Sequence, residues 1–426
     1  MRSSEIVSAL ASFDGRGPGT DAERRAARWL AGELAAPEHN VRLEPFWCRP
    51  NGALAHLWHI ALAVAGSLLA LASPQVGVAL LAIALISVLA DGLQGRSLGR
   101  RLTPERASQN VVAALASPQP PAPAARPAAE RDVRLILTAN YDAGRSGIAY
   151  RDALRATASG LRRATAGVGP GWLGWLTIAI AWLLAVAILR LGDRHSAVLG
   201  AVQLPPTVGL VLAFALLVDV ALSDWSPGAG DNASGVAVAI GLMRALDVTP
   251  PRHLSVELVL QGAGEGGGIG LRRYLAAHRR EQTATNTIVL GFAPCGGGQA
   301  RWWASDGRLV PLRYSNELRR LCASLATDEP HLGAGGHRGR GATPALPARE
   351  RRVPAIALGC LDGRGLAPRS HQTADTPSST DPGALGDALQ FALILIDRLD
   401  RFVGSWSASS VEAGRTLREK RRPSLR

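Results

Sequence analysis

SPGAGDNASG, residues 226–235, is a loop of small and turn-forming residues that carries one acid, Asp231, and runs straight into a helical stretch at 233–246. Open α/β sheets present their functional side chains at such junctions, outside the carboxyl ends of the strands. An acid at a loop–helix junction is most often a cap, so the stretch gains meaning from its surroundings. Six short runs around it are β-branched and bounded by Gly, Pro or Asn: VRLEPF (41–46), NVVAAL (110–115), VRLILTA (133–139), LSVELVL (254–260), TIVLGF (287–292) and VPAIALG (353–359). They read as strands. Helical runs lie at 19–34, with Thr20 or Asp21 as cap and acids in the first turn, and at 233–246, 269–278, 312–325 and 383–402. Strands alternating with helices imply an α/β fold, with a mostly parallel sheet covered by helices on both faces.

Four apolar runs interrupt this pattern. Residues 57–93 hold two of them, broken at Pro74-Gln75, with no charge between His59 and Asp91. The second pair lies within 171–222, as GWLGWLTIAIAWLLAVAIL (171–189) and TVGLVLAFALLVDVAL (207–222). Each run is about 17 residues, the lower edge of what spans a hydrocarbon core of ~30 Å. Trp172, Trp175 and Trp225 flank the second pair, where indole rings favour a membrane interface. Asp219 lies about one turn from the end of the fourth run, a carboxylate expected to reach that interface. Two transmembrane hairpins are therefore expected. The segment 94–106 and the C-terminal end are rich in arginine, which places both termini and the α/β segments in the cytoplasm of a multi-pass cell-membrane protein.

Composition agrees. Of 426 residues, 47% are hydrophobic and only 19% charged, which excludes an intrinsically disordered chain. The net charge of +13 comes almost entirely from arginine, Lys420 being the only lysine. With no aromatic-interleaved basic patch beside it, that charge reads as compositional bias, and no nucleic-acid partner is expected. Cys48, Cys295, Cys322 and Cys360 are too scattered for a zinc finger or a disulfide framework and read as buried free thiols. The N-terminus lacks an uninterrupted apolar stretch, so no cleavable signal peptide is expected. The organisation that results is an N-terminal helix and first strand (1–56), a hairpin (57–93), a second α/β part containing the Pro/Ala-rich 117–131 (94–170), a second hairpin (171–222), the main α/β part (223–405) and a disordered basic tail (406–426).

Two arrangements could carry chemistry. Gly262-Ala-Gly264-Glu-Gly-Gly267 follows a strand and opens a helix, matching the spacing of a dinucleotide turn. The acid that should hold the ribose is missing, because the next strand runs TIVLGFAPCG. The alternative gathers groups from several strand ends: Asn140-Tyr-Asp142, Asp231, Gly264-Glu265, and Arg369-Ser-His371 leading to Asp375-Thr376. Asp, Glu and His converging on one sheet edge are a donor set for a zinc-like divalent ion.

In that order the motifs resemble the co-catalytic zinc aminopeptidases of clan MH, of the aminopeptidase Y, aminopeptidase S and glutamate carboxypeptidase II type. The resemblance covers nearly all of the chain outside the apolar runs. It implies a zinc-aminopeptidase-like fold, and it puts Asp231 where that family has a carboxylate bridging two zincs and His371 on a zinc-binding histidine. The family's His-x-Asp is Asn140-Tyr-Asp142 here, so an imidazole ligand has become an amide, with Asp142 standing behind the ligands. The family's Glu-Glu pair is Gly264-Glu265: the general-base place holds Gly264, and Glu265 takes the ligand place. A further ligand Asp is replaced by Gly291. Asp231, Glu265 and His371 persist, while Asn140 and Gly291 are degenerate places. At most one weakly held zinc follows, and no catalytic set is intact, since glycine has no atom to accept a proton. The resemblance thus implies an impaired peptidase held in the lipid bilayer, binding a peptide or scaffolding a membrane-protein partner. The alternatives are an active one-metal aminopeptidase and a dinucleotide-binding membrane protein. Asn140→His, Gly264→Glu and Gly291→Asp together are expected to restore uptake of two zincs.

Overall fold

The protein is described here by a computed structural model covering residues 2–36, 39–115, 133–164, 169–193 and 195–419. The Pro/Ala-rich 117–131, Arg194 and the last part of the basic tail, 420–426, lie outside the described residues. Local chemistry sets the first elements. A short helix α1 (Ser3–Ala11) is followed by α2 (Asp21–Leu34). Thr20 is the cap of α2, accepting from the Glu23 N–H, and Glu23 reaches back to the Gly19 N–H at 2.7 Å. Thr20 thus satisfies a donor the helix cannot satisfy itself, and Glu23 ties down the residue before the cap. Strand β1 (His39–Cys48) leads to the long apolar helices α3 (Gly52–Ala72) and α4 (Pro74–Gln94), the single turn α5 (Leu98–Arg101) and strand β2 (Arg106–Leu115).

After β3 (Val133–Asn140) come α6 (Asp152–Ala164), the second apolar pair α7 (Trp172–Leu189) and α8 (Ala197–Leu222), then α9 (Ser234–Val248). The remainder is β4 (Leu254–Gln261), α10 (Ile269–Ala277), β5 (Thr287–Phe292), β6 (Gln299–Asp306), β7 (Leu312–Arg313), α11 (Asn316–Asp328), β8 (Gly335–Arg338), α12 (Leu346–Glu350), β9 (Ala355–Leu361) and α13 (Pro382–Glu419).

The strands form one sheet in the order β1-β2-β4-β3-β5-β9-β6-β7, with β8 on β6. Its centre, β4-β3-β5-β9, is parallel, whereas β1/β2, β2/β4, β6/β9 and β6/β7 are antiparallel. The sheet is therefore mixed rather than mostly parallel. The reason lies in the first apolar pair. A helical hairpin returns the chain to the edge it left, so β2 must run back along β1, and it does so in continuous register from His39↔Leu115 to Cys48↔Arg106. The second pair sits inside the crossover β3–α9–β4 and leaves those strands parallel.

Both faces are covered. One core packs α1, α2, α9, α11 and α13 on the sheet through residues such as Leu10, Leu30, Val236, Leu258, Phe292 and Phe391. Another lies under α10 and α12, around Val112, Ile136, Val259 and Leu271. A third core belongs to the apolar helices: Ile60, Leu81, Leu173, Ile180 and Leu183 pack together, joined by Leu309 from the α/β part. All four cysteines are buried and free.

Several boundaries differ from expectation, each for a local reason. α8 begins at Ala197, ahead of the Pro205–Pro206 pair expected to precede the helix. Pro206 has no N–H for the Val202 carbonyl, and Trp182 Nε1–H on α7 takes that carbonyl instead at 3.1 Å. The run at 312–325 splits into β7, paired with β6, and α11. β6 went unrecognised because QARWWASD lacks the β-branched signature of the other strands. α13 runs on to Glu419, with no proline between Pro382 and Pro423 to break it.

One ion pair fastens α3 and α4 to the sheet edge. Asp91 is fully buried and accepts from Arg100 Nε and Ser97 Oγ, and His56 Nε2 lies 3.3 Å from its other oxygen. Arg100 also donates to the Arg49 and Gly266 carbonyls. Removing one member of a buried pair strands the other charge. Asp91→Leu is expected to cost about 3–5 kcal/mol in thermal unfolding in detergent, and the double variant Asp91→Leu/Arg100→Leu distinctly less.

Candidate functional site

Every loop bearing an expected site residue leaves the carboxyl end of the parallel core. β3 ends at Asn140 and passes into Tyr141-Asp142, β4 passes into the 262–268 loop, and the strand β9 precedes the 369–376 loop. The loop before α9 supplies Asp231. Because β1 and β2 are antiparallel to each other and β2 to β4, the connection 49–105 emerges at this same edge.

Two buried carboxylates hold these loops by their backbones. Asp142 accepts from the Gly264 and Glu265 N–H groups at 2.8 and 3.0 Å. Asp375 accepts from the Gly230 and Asp231 N–H groups at 2.6 and 2.9 Å. Arg16, itself 1% exposed, donates to the carbonyls of Leu10, Tyr141 and Gly228 and offsets the acids around it. Burial lowers its guanidinium to about 10 against the opposing pull of Asp142, Asp375 and Glu265. Burial raises the Asp142 carboxyl to about 7 despite its backbone donors. Burial, together with Asp231, raises Asp375 to about 6.

Within this frame the three retained residues meet. His371 Nε2 lies 3.4 Å from Glu265 Oε2 and 3.8 Å from Asp231 Oδ2. Its Nδ1 faces the Arg145 carbonyl at 2.9 Å, so Nδ1 donates there and Nε2 is the nitrogen turned to the two carboxylates. Tyr150 stacks on the imidazole, centroids 4.3 Å apart. Ser370 Oγ donates to Asp231 Oδ2 at 2.5 Å. Burial, then Asp231 and Asp142, push the Glu265 carboxyl well above the usual carboxylate range.

The donors suit one small divalent ion in kind, since ligands about 2.1 Å from a tetrahedral zinc stand about 3.4 Å apart. Among the described residues, however, no group of three or more His, Cys, Asp and Glu side chains forms a ready metal cage. Asn140 turns its amide N–H to Glu265 Oε1 at 3.1 Å, and its own Oδ1 is buried without a hydrogen-bond partner. An amide donating to the carboxylate is the wrong polarity for a ligand pair sharing a cation.

The two glycines at the degenerate places are closed by packing rather than by backbone conformation. A Cβ on Gly264 would meet Asn140 Cγ at 2.4 Å. A Cβ on Gly291 would meet the Ala345 backbone nitrogen at 2.6 Å. A side chain at Gly291 therefore requires a backbone atom to move, which works against the expected three-residue repair. Asp219 accepts from the Ile148 N–H at 2.5 Å, tying α8 to the segment beside Tyr150.

Four contributors were missed from the sequence. Arg16 left no motif. Tyr150 and Ser370 are ordinary residues until the fold brings them to His371 and Asp231. Glu23 carried a signal, the Thr20-x-x-Glu23 box, yet its second oxygen also accepts from Ser108 Oγ and the Ala263 N–H. Burial and Asp142 raise its carboxyl to about 8.

Residues 217–396 match the model of peptidase family M28, a span that includes Asp231, Glu265, Gly291 and His371. The fold is similar to that of BSAP, a zinc aminopeptidase from Bacillus subtilis, with TM-score 0.52 at 13% identity over 92% of this chain and 94% of that one. It is also similar to LapA from Legionella pneumophila, with TM-score 0.50 at 11% identity over 94% of this chain and 72% of that one. No curated protein matches the chain in sequence. The α/β architecture is thus similar to that of a zinc aminopeptidase.

Two tests follow. Gly291→Ala is expected to destabilise the protein by about 1–3 kcal/mol by overpacking against Ala345, read by thermal unfolding. Asp375 has a folded value of about 6 against 3.8 when unfolded. The folded state therefore holds its proton more tightly, and that contribution is complete below about pH 4 and lost as the pH rises to about 6. In metal-free protein it is worth at most about 3 kcal/mol, and Asp375→Asn should flatten stability across that window.

Proposed function

We propose that this protein is a membrane-held relative of the zinc aminopeptidases whose catalytic apparatus is impaired, and that it works as a peptide-binding or scaffold module. Gly264 carries the reading. The place of the general base has no side chain, and the volume one would need is filled by Asn140. A positioned carboxylate base contributes ~10²–10⁴-fold, and Glu265 is committed to His371 and Asn140.

The membrane part rests on α3, α4, α7 and α8, each long and apolar enough to cross a bilayer, with mean hydropathy between 1.8 and 2.4. Only 11% of the most apolar window of α8 is buried against the rest of the protein, leaving Val198, Leu204, Leu212 and Leu222 bare. So continuous an apolar face is stable in lipid and costly in water. Both pairs join the α/β part at one sheet edge, so that part sits on one side, and the arginines of 94–106 favour the cytoplasm.

Asp231, Glu265 and His371 would hold at most one zinc, weakly. When bound, it would polarise a carbonyl or a water. The chain's own residues do the rest: Asp142 and Asp375 fix the ligand loops, Tyr150 and the Arg145 carbonyl orient the imidazole, and Ser370 engages Asp231. The persistence of this donor set favours a second reading, a one-metal aminopeptidase. A dinucleotide site gains nothing from the fold, because the N–H groups of Ala263, Gly264 and Glu265 that a pyrophosphate would use are taken by Glu23 and Asp142.

Metal analysis of purified protein, run beside an amino-acid arylamide panel, decides among these. The expected result is no more than about one zinc per chain, removed by dialysis and absent in His371→Ala, with no hydrolysis above buffer. One zinc with turnover would favour the second reading, and two tight zincs with turnover would refute impairment. Reporter fusions after residue 410 should be active only in the cytoplasm; activity on the outer side would reverse the topology.

A further inference from the structure

A cavity of about 1260 Å³ opens from the site towards the apolar helices, and three kinds of surface line it. Asn140, Asp231, Glu265 and His371 form one part. Apolar side chains of α7 and α8 form another, among them Leu176, Ala179, Leu210, Ala213 and Leu217. The third is cationic and includes Arg155 and Arg340.

That third surface is short of acceptors. Among the described residues, Arg340 Nε and Nη2 and Arg155 Nη1 are buried without a hydrogen-bond partner. The nearby acids are engaged elsewhere, Asp231, which also acts on Arg155, accepting from Ser370 Oγ. Asp306 accepts from the Gly341 and Thr343 N–H groups, both at 2.7 Å. Asp152 and Asp362 are both held by Arg364. Burial lowers the Arg155 guanidinium, and burial with the neighbouring Arg340 lowers that of Arg162. Buried N–H donors on clustered cations are costly unless an anion accepts from them. A free phosphate would fill little of a cavity larger than those that take drug-sized molecules, and it would leave the apolar wall bare.

We propose that this cavity binds an anionic lipid, its phosphate seated on the cationic wall to which Arg155 and Arg340 both belong and its acyl chain lying along α7 and α8. This goes beyond the peptide and zinc reading and stands without it, since neither arginine belongs to the Asp231–Glu265–His371 set.

The test uses the full chain in detergent, titrated with dioctanoyl phosphatidic acid, dioctanoyl phosphatidylcholine and inorganic phosphate, bound lipid being counted by native mass spectrometry. Phosphatidic acid should bind at least about tenfold more tightly than either of the others, and Arg155→Gln/Arg340→Gln should lose at least about tenfold. Ala213→Phe, which fills the apolar wall, should weaken the lipid while leaving phosphate unchanged, and it serves if the double variant does not fold. His371→Ala should abolish zinc uptake and leave lipid affinity within about twofold, so failure here and failure of the zinc reading are separable. Unchanged phosphatidic acid binding in the arginine variant, or in Ala213→Phe should the arginine variant not fold, would overturn the proposal. So would inorganic phosphate binding as tightly as the lipid.

Discussion

Two carboxylates that touch no solvent, Asp142 and Asp375, each accept two successive backbone N–H groups from the loop that carries a neighbouring acid. Glu265 owes its position to the first and Asp231 to the second. Burying two acids beside two others is tolerable only because the donors are fixed and Arg16 lies among them, its own donors satisfied by carbonyls from three segments. Charge-assisted bonds of this kind are short and directional. They fix the site's geometry, which is why Asp231, Glu265 and His371 meet beside Asn140.

The apolar helices are part of this arrangement rather than an appendage. Each pair reaches a site loop through one polar contact. Arg100, anchored by Asp91, donates to the Gly266 carbonyl next to Glu265. Asp219 accepts from Ile148, two residues before the Tyr150 that stacks on His371. A displacement of either pair would be felt first at those loops. The site also opens on a space partly walled by the same helices, so whatever enters meets apolar and ionic surfaces together.

Much of this was legible in the sequence. Strong local periodicity gave the six principal strands and the four apolar runs, and motif order placed Asn140, Asp142, Asp231, Glu265 and His371 on one edge. The illegible parts depend on long-range geometry. The sheet's mixed character comes from where a helical hairpin sets the chain down, which no local pattern encodes. Arg16 acts through carbonyls far apart in sequence. The closure of Gly264 and Gly291 is a matter of what packs against them, Asn140 and Ala345, and a motif that names only residue types cannot tell an empty place from a filled one.

The pairing of β1 with β2 carries a consequence for the order of folding. Its ladder runs unbroken from Cys48↔Arg106 outward, yet residues 49–105 separate the two strands. Closing so long a loop by random search is slow, because its entropy is lost before any ladder bond repays it. If α3 and α4 zip together first, which needs only contacts between neighbours in sequence, the ends of the loop arrive side by side. The strands then meet as in a tight hairpin, with the helical pair acting as its turn. An insertion that looks like a burden on the sheet would in that case serve as the nucleus for its edge.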